Sequence, residues 1–199
     1  MFTLTEIIEI LITSIAVSYI FTAFIPITRS SNPFEYVKSL YKPIDWQQFK
    51  TAAIIGVPAV LIHELFHKFA SLIMGIPAHY TIGTFFGIPG GGLLIGIVLR
   101  LANSSFIFFA PGYVSILGSP TPVQLFVIAF AGPLANILLF IGATMLLKYG
   151  KVDKKYIPII YLTKRINLWL FIFNMLPIPP LDGSKVLIGL YYMIKGVLL

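Results

Sequence analysis

The amino-acid sequence predicts an all-α polytopic membrane protein, a bundle of four to six transmembrane helices with a small β or re-entrant segment near the candidate active site. Three observations predict it. Hydrophobic residues make up 58% of the 199 positions and charged residues only 11%, against roughly 25% charged in a soluble domain. Mean hydropathy is +0.94. The apolar residues are gathered into runs of spanning length, and the charges are concentrated in the connectors between them.

The first run, Leu4 to Ile25, carries Glu6 and Glu9 rather than a basic start and is long enough to cross a bilayer, so it reads as an anchor and not as a cleaved leader. A polar connector from Pro26 to Lys50 follows, with Ser30-Ser31-Asn32-Pro33 as a turn signal. The second run, Thr51 to Ile76, ends at Gly75-Ile76-Pro77. From Ala78 to Pro122 the chain is rich in Gly and aromatics. His79 to Phe86 has strand-forming residues, Gly90-Gly91-Gly92 reads as a break, and Pro111-Gly112 as a turn, so strands, a re-entrant hairpin or one short span all fit. Thr121-Pro122-Val123-Gln124 has the form of a capping box with Pro at the first helical position, which starts a helix running to about Lys148. A fourth span covers Ile157 to Leu176 and stops at Pro177-Ile178-Pro179-Pro180, and Leu181 to Leu199 suffices for a last helix. Three parts are expected: an anchor and basic connector over 1–50, a core over 51–184 and a C-terminal helix over 185–199.

The net charge is +7. Arg29, Lys38, Lys42 and Lys50 lie in one connector, and Lys148, Lys151, Lys154, Lys155, Lys164 and Arg165 lie around another. Basic loops beside apolar helices meet lipid headgroups, so the expected partner is the bilayer and not nucleic acid. The chain has no cysteine, which removes disulfides and thiolate metal sites and leaves His and carboxylates as ligands.

The second run contains His63-Glu64-Leu65-Phe66-His67. Residues four apart share a helix face, so His63 and His67 can offer two imidazole nitrogens to one metal ion with Glu64 beside them as a base. Ionisable residues inside an apolar span are costly and mark function by default. The same side chains could instead bond neighbouring helices, and a metal-binding scaffold or transporter would use the ligands without a base.

A catalytic zinc takes three protein ligands and leaves a fourth position open. The other acids are Glu6, Glu9, Glu35, Asp45, Asp153 and Asp182. Of these, Asp182 lies in apolar surroundings where prolines break a helix, followed by Gly183, which would give the backbone freedom there. Asp182 could also be a simple helix cap. His79 reads either as a spare ligand or gate, or as a lone interfacial histidine.

His63-Glu64-x-x-His67 in one span, Gly132-Pro133-Leu134-Ala135-Asn136 in the next clear span and Asn174 to Gly183 at the end of another resemble the site-2 protease family of intramembrane zinc metalloproteases, over about Thr51 to Ser184. The resemblance implies one zinc ion per chain held by His63, His67 and Asp182, with Glu64 as catalytic base. It also implies membrane-protein substrates and a multi-pass protein, expected in the cell membrane. Asn136 and Asn174 match polar positions of the family motifs and would orient substrate or lock helices together. An unwound substrate segment needs a strand edge to pair with, and Tyr80 to Phe86 is the candidate. Oligomeric state is not legible.

For Asp182 to reach the histidines, the second and fourth spans must run in the same direction, so Ala78 to Pro122 crosses the membrane an even number of times, most simply zero. The connectors Pro26–Lys50 and Lys148–Arg165 then share a side. Their charge argues for the cytoplasm, whereas the family resemblance implies the outside.

Overall fold

The computed structural model describes residues 2–25, 45–104 and 111–197. The turn expected at Ser30 to Pro33, together with Arg29, Glu35, Lys38 and Lys42, lies outside the described residues. Six helices are present among those described: α1 (Leu4–Phe21, extended by a 3-10 turn Thr22–Phe24), α2 (Trp46–Ile73), α3 (Gly91–Leu101), α4 (Pro122–Tyr149), α5 (Ile157–Asn174) and α6 (Asp182–Val197). With its 3-10 turns, four of these stretches are long and apolar enough to cross a membrane: Leu4–Phe24, Trp46–Ile73, Pro122–Tyr149 and Lys154–Asn174. The protein is a multi-pass helical bundle.

Local chemistry sets the helix starts. Thr3 and Glu6 form a reciprocal capping box at α1, and Thr121 and Gln124 form the expected one at α4, with Pro122 in the first turn. Helix α2 begins five residues before the apolar run because Asp45 Oδ1 accepts from the Gln47 and Gln48 amides, at 2.8 and 3.2 Å. The glycines at 90–92 start a helix instead of interrupting one. Gly90 takes a left-handed conformation (φ 66°) and turns the chain into α3. At 11 residues α3 is about 16 Å long, too short to span.

Hydrogen bonds between elements give the direction of travel. Gln48 Nε2 donates to the Ile25 carbonyl (3.2 Å) at one end of the α1–α2 pair, and Lys68 meets Glu6 at the other, so the two helices are antiparallel. Gln124 Nε2 at the start of α4 donates to the Met74 carbonyl just past α2 (3.2 Å), and the Leu117 amide to Pro77 O (2.8 Å). The chain therefore leaves α2 and enters α4 at the same level, and the stretch between makes no net crossing. Helix α5 turns back along α4 and runs with α2, the direction the Asp182 argument requires.

Between α2 and α4, strand β1 (Ala78–Thr81) pairs antiparallel with β4 (Tyr113–Ile116), Tyr80 opposite Val114, and β2 (Thr84–Phe85) forms a small hairpin with β3 (Ile88–Pro89). The expected receiving edge at Tyr80 to Phe86 is corrected over Tyr80 to Ile82. One side of β1 is taken by β4. On the other, the Tyr80 amide donates to Glu6 Oε1 (2.7 Å) and the Ile82 amide to Glu9 Oε2 (3.3 Å). Two carboxylates of α1 occupy the edge that a substrate strand would need.

The apolar core joins Ala16, Val17, Ile20 and Phe21 of α1 to Ala52, Ile55 and Val60 of α2 and Leu93 of α3. Leu11, Ile15, Ile54, Leu138, Met145 and Trp169 are exposed on the outer surface, as expected of positions facing lipid.

Candidate metal centre

His63 and His67 lie one turn apart on α2, both buried, with Glu64 buried beside them. Asp182 is the first residue of α6, and its carboxylate turns toward the histidines rather than capping its own helix. His63 Nε2, His67 Nε2 and Asp182 Oδ2 stand 3.1 Å from one another on every side of the triangle. Among the described residues this is the one group of three such side chains able to share an ion.

The partners of the other ring nitrogens decide what the triangle is. His63 Nδ1 lies 2.6 Å from Asn136 Oδ1, and that oxygen is an acceptor because Asn136 Nδ2 donates to the Ala59 carbonyl (3.0 Å) and to Asn167 Oδ1 (2.9 Å). His67 Nδ1 lies 2.6 Å from the Ile128 carbonyl, which can only accept. Both Nδ1 atoms therefore carry the proton, and in neutral rings both Nε2 atoms present lone pairs. With the rings neutral, two lone pairs and a carboxylate oxygen converge on one point, an arrangement that a cation completes. Four ligands about 2.0–2.1 Å from a tetrahedral zinc stand roughly 3.3 Å apart. The 3.1 Å triangle fits one face of such a tetrahedron.

Helix α4 makes room for this centre. A Cβ on Gly132 would collide with His67 Nε2 and lie 2.7 Å from His63 Nε2, so no larger residue can face the triangle there. Gly183 serves clearance as well. It is not in the left-handed region, and a Cβ would strike the Met175 carbonyl and come within 2.6 Å of Leu176 O, so the glycine lets α6 start against the end of α5. The conformational freedom expected at Gly183 is thus corrected to close packing.

The Glu64 carboxylate, buried beside the histidines, hydrogen-bonds no described residue. Asn136 is fully buried against His63, whereas Asn174 is half-buried in the last turn of α5 and hydrogen-bonds none of the three. His79 stands apart as well. It lines a cavity of about 340 Å³ with Thr3, Thr5, Glu6 and Glu9. Sequence reasoning missed Asn167 and Lys68, and read Gly132 as part of a motif without its clearance role. Asn167 had a signal, a lone amide two turns before Asn174 in an apolar helix. Lys68 had one too, a cation inside a span directly after His67. Tyr80, buried between β1 and α1, hydrogen-bonds Thr13 at 2.6 Å. Burial pushes its phenol above the ordinary value, the Thr13 bond opposes this, and the charges of Glu64 and Glu9 add to the rise.

Fold and site together define a class: a polytopic helical protein with a two-histidine, one-aspartate cluster at membrane depth. Residues 142–199 match Peptidase family M50. Over 128 residues the chain is 37% identical to a Methanocaldococcus jannaschii protein named "Putative zinc metalloprotease", with 64% of this chain and 63% of that protein aligned. Over 145 residues it is 30% identical to a Synechocystis protein named in the same words, covering 72% of this chain and 32% of that one. The aligned part thus spans less than two thirds of either relative. No solved structure matches the chain. These matches agree with the resemblance read from the motifs: the chain is similar to Peptidase family M50 over residues 142–199 and to two proteins named as zinc metalloproteases.

Proposed function

We propose that the chain is a zinc-dependent endopeptidase, one ion per chain, that hydrolyses peptide bonds in or near transmembrane segments of membrane proteins, acting in the cell membrane. The observation that carries this reading is the convergence of His63 Nε2, His67 Nε2 and Asp182 Oδ2 at 3.1 Å from one another, beside the buried Glu64 carboxylate, which hydrogen-bonds no described residue. A zinc ion bound there supplies Lewis acidity toward a carbonyl and brings bound water to a pKa near ~7. His63 and His67 present the correct tautomer because Asn136 Oδ1 and the Ile128 carbonyl accept hydrogen bonds from their Nδ1–H groups. Glu64 accepts the proton of the attacking water and returns it to the leaving amine. Asn136 acts through His63, while Asn174 serves the join between α5 and α6. The core over 51–184 carries the chemistry. With the inner edge of β1 occupied, the outer edge of β4, which pairs with no strand among the described residues, is our candidate to receive an unwound substrate segment.

The test is zinc per chain by elemental analysis on detergent-purified protein, with hydrolysis of fluorescein-labelled casein, for wild type, Glu64→Gln and Asp182→Ala. Zinc near one per chain in wild type and Glu64→Gln, reduced in Asp182→Ala, with hydrolysis in wild type alone, is the expected result. Zinc with no hydrolysis of casein or of membrane-embedded substrates would make this a metal-binding scaffold or transporter. Folded wild type without zinc would end the proposal.

A further inference from the structure

The cluster on the α1 side of α2 is used by nothing described so far. Glu6 is 2% exposed and Lys68 1%, and the two form an ion pair between the first turns of α1 and the last turns of α2. Glu6 Oε1 also accepts from the Tyr80 amide, and its Oε2 accepts from the Thr3 amide (2.9 Å). Lys68 lies against the Phe2 ring, 4.1 Å from its centroid. Tyr80 reaches back to α1 through its phenol, which shares a hydrogen bond with Thr13 and donates at 3.3 Å to the Pro111 carbonyl just before β4.

A buried ion pair is a poor way to join two helices, because apolar side chains of similar volume do as well or better. What apolar side chains cannot do is accept from a strand amide. The same carboxylate oxygen binds the lysine that follows His67 and the backbone of β1, so it ties the strand to the helix that bears the histidines. We propose that Glu6 is a positioning residue. By gripping Lys68 and the Tyr80 amide together it sets the height of the β1–β4 sheet over the metal centre, and so the placement of a substrate segment paired to that sheet. This makes α1 part of the working core, and the hydrolytic consequence rests on the proposed endopeptidase activity.

Two double variants separate the roles, since both remove the ion pair without stranding a charge. Glu6→Gln/Lys68→Met keeps a carbonyl acceptor for the Tyr80 amide, and Glu6→Leu/Lys68→Met does not. Each is purified in detergent with zinc and compared with wild type by zinc content, by hydrogen exchange of the peptide spanning residues 78–82, and by kcat and KM on labelled casein. In the leucine double variant the expected result is full zinc, faster exchange at Tyr80, and kcat lower by roughly 100-fold with KM little changed, as for a reacting group displaced by about 1 Å. The glutamine double variant should restore slow exchange and most of kcat. Equal exchange in the two would overturn the proposal, as would loss of zinc in both, which would make the pair only a staple of the fold. Wild type that fails to hydrolyse casein would defeat the endopeptidase reading instead, and the exchange comparison would still decide the role of Glu6.

Discussion

Helix α2 carries two buried polar clusters on different sides. Toward α4 and α6 it presents His63 and His67 to Asp182, and toward α1 it presents Lys68, about 100° further round, to Glu6. In the α1 cluster the ledger of protons balances: an ammonium and two backbone amides meet one carboxylate. In the α4 cluster the outer ring nitrogens are satisfied and the inner three atoms all have electron pairs to give. Both clusters are largely buried and both are hydrogen-bonded to neighbouring elements, so neither property distinguishes structure from site. The direction in which the lone pairs point does.

The largest effect should come from filling the space before the triangle. Gly132→Ala places a methyl against both Nε2 atoms, and zinc by elemental analysis should fall to near zero although the helix gains propensity. Glu64→Gln should keep zinc and lower kcat by roughly 10²–10⁴-fold, the range for a lost general base. Lys68→Met alone strands the Glu6 carboxylate. It should destabilise by about 3–5 kcal/mol in a denaturant titration, and the second change Glu6→Gln should recover most of it. A single variant as stable as wild type would show that water reaches that cluster. Asn136→Ala releases the His63 tautomer and should weaken zinc affinity by roughly 10–100-fold in a chelator competition. The smallest effect belongs to Asn167→Ala, about 0.6 kcal/mol as for other interhelical hydrogen bonds in membranes. A zinc affinity changed as much as by Asn136→Ala would move Asn167 from the helix seam into the centre.

The spans and the histidine helix were legible because hydropathy and a spacing of four are local signals. So were both ends of α4, through Thr121 and Gln124 at the start. Asp182 was reachable by elimination among few acids. Glu6 was on the page as one of those acids, but its partner stands 62 residues away and nothing in either local sequence points to the other. The role of Gly132 is a matter of clearance to side chains on another helix, and the Ile128 carbonyl has no side-chain signature at all. The edge of β1 misled for a related reason. A strand-forming sequence says where a strand lies, but not whether helix carboxylates have taken its amides.

The span between Glu6 and Lys68 also has a meaning in time. A ribosome adding about 5–20 residues per second takes roughly 3–12 seconds to make the intervening chain. Throughout that interval Glu6, in the first turn of α1, is without Lys68, the cation it pairs with in the folded protein. Birth order thus leaves this join between α1 and α2 unmade until the far end of α2 has been synthesised.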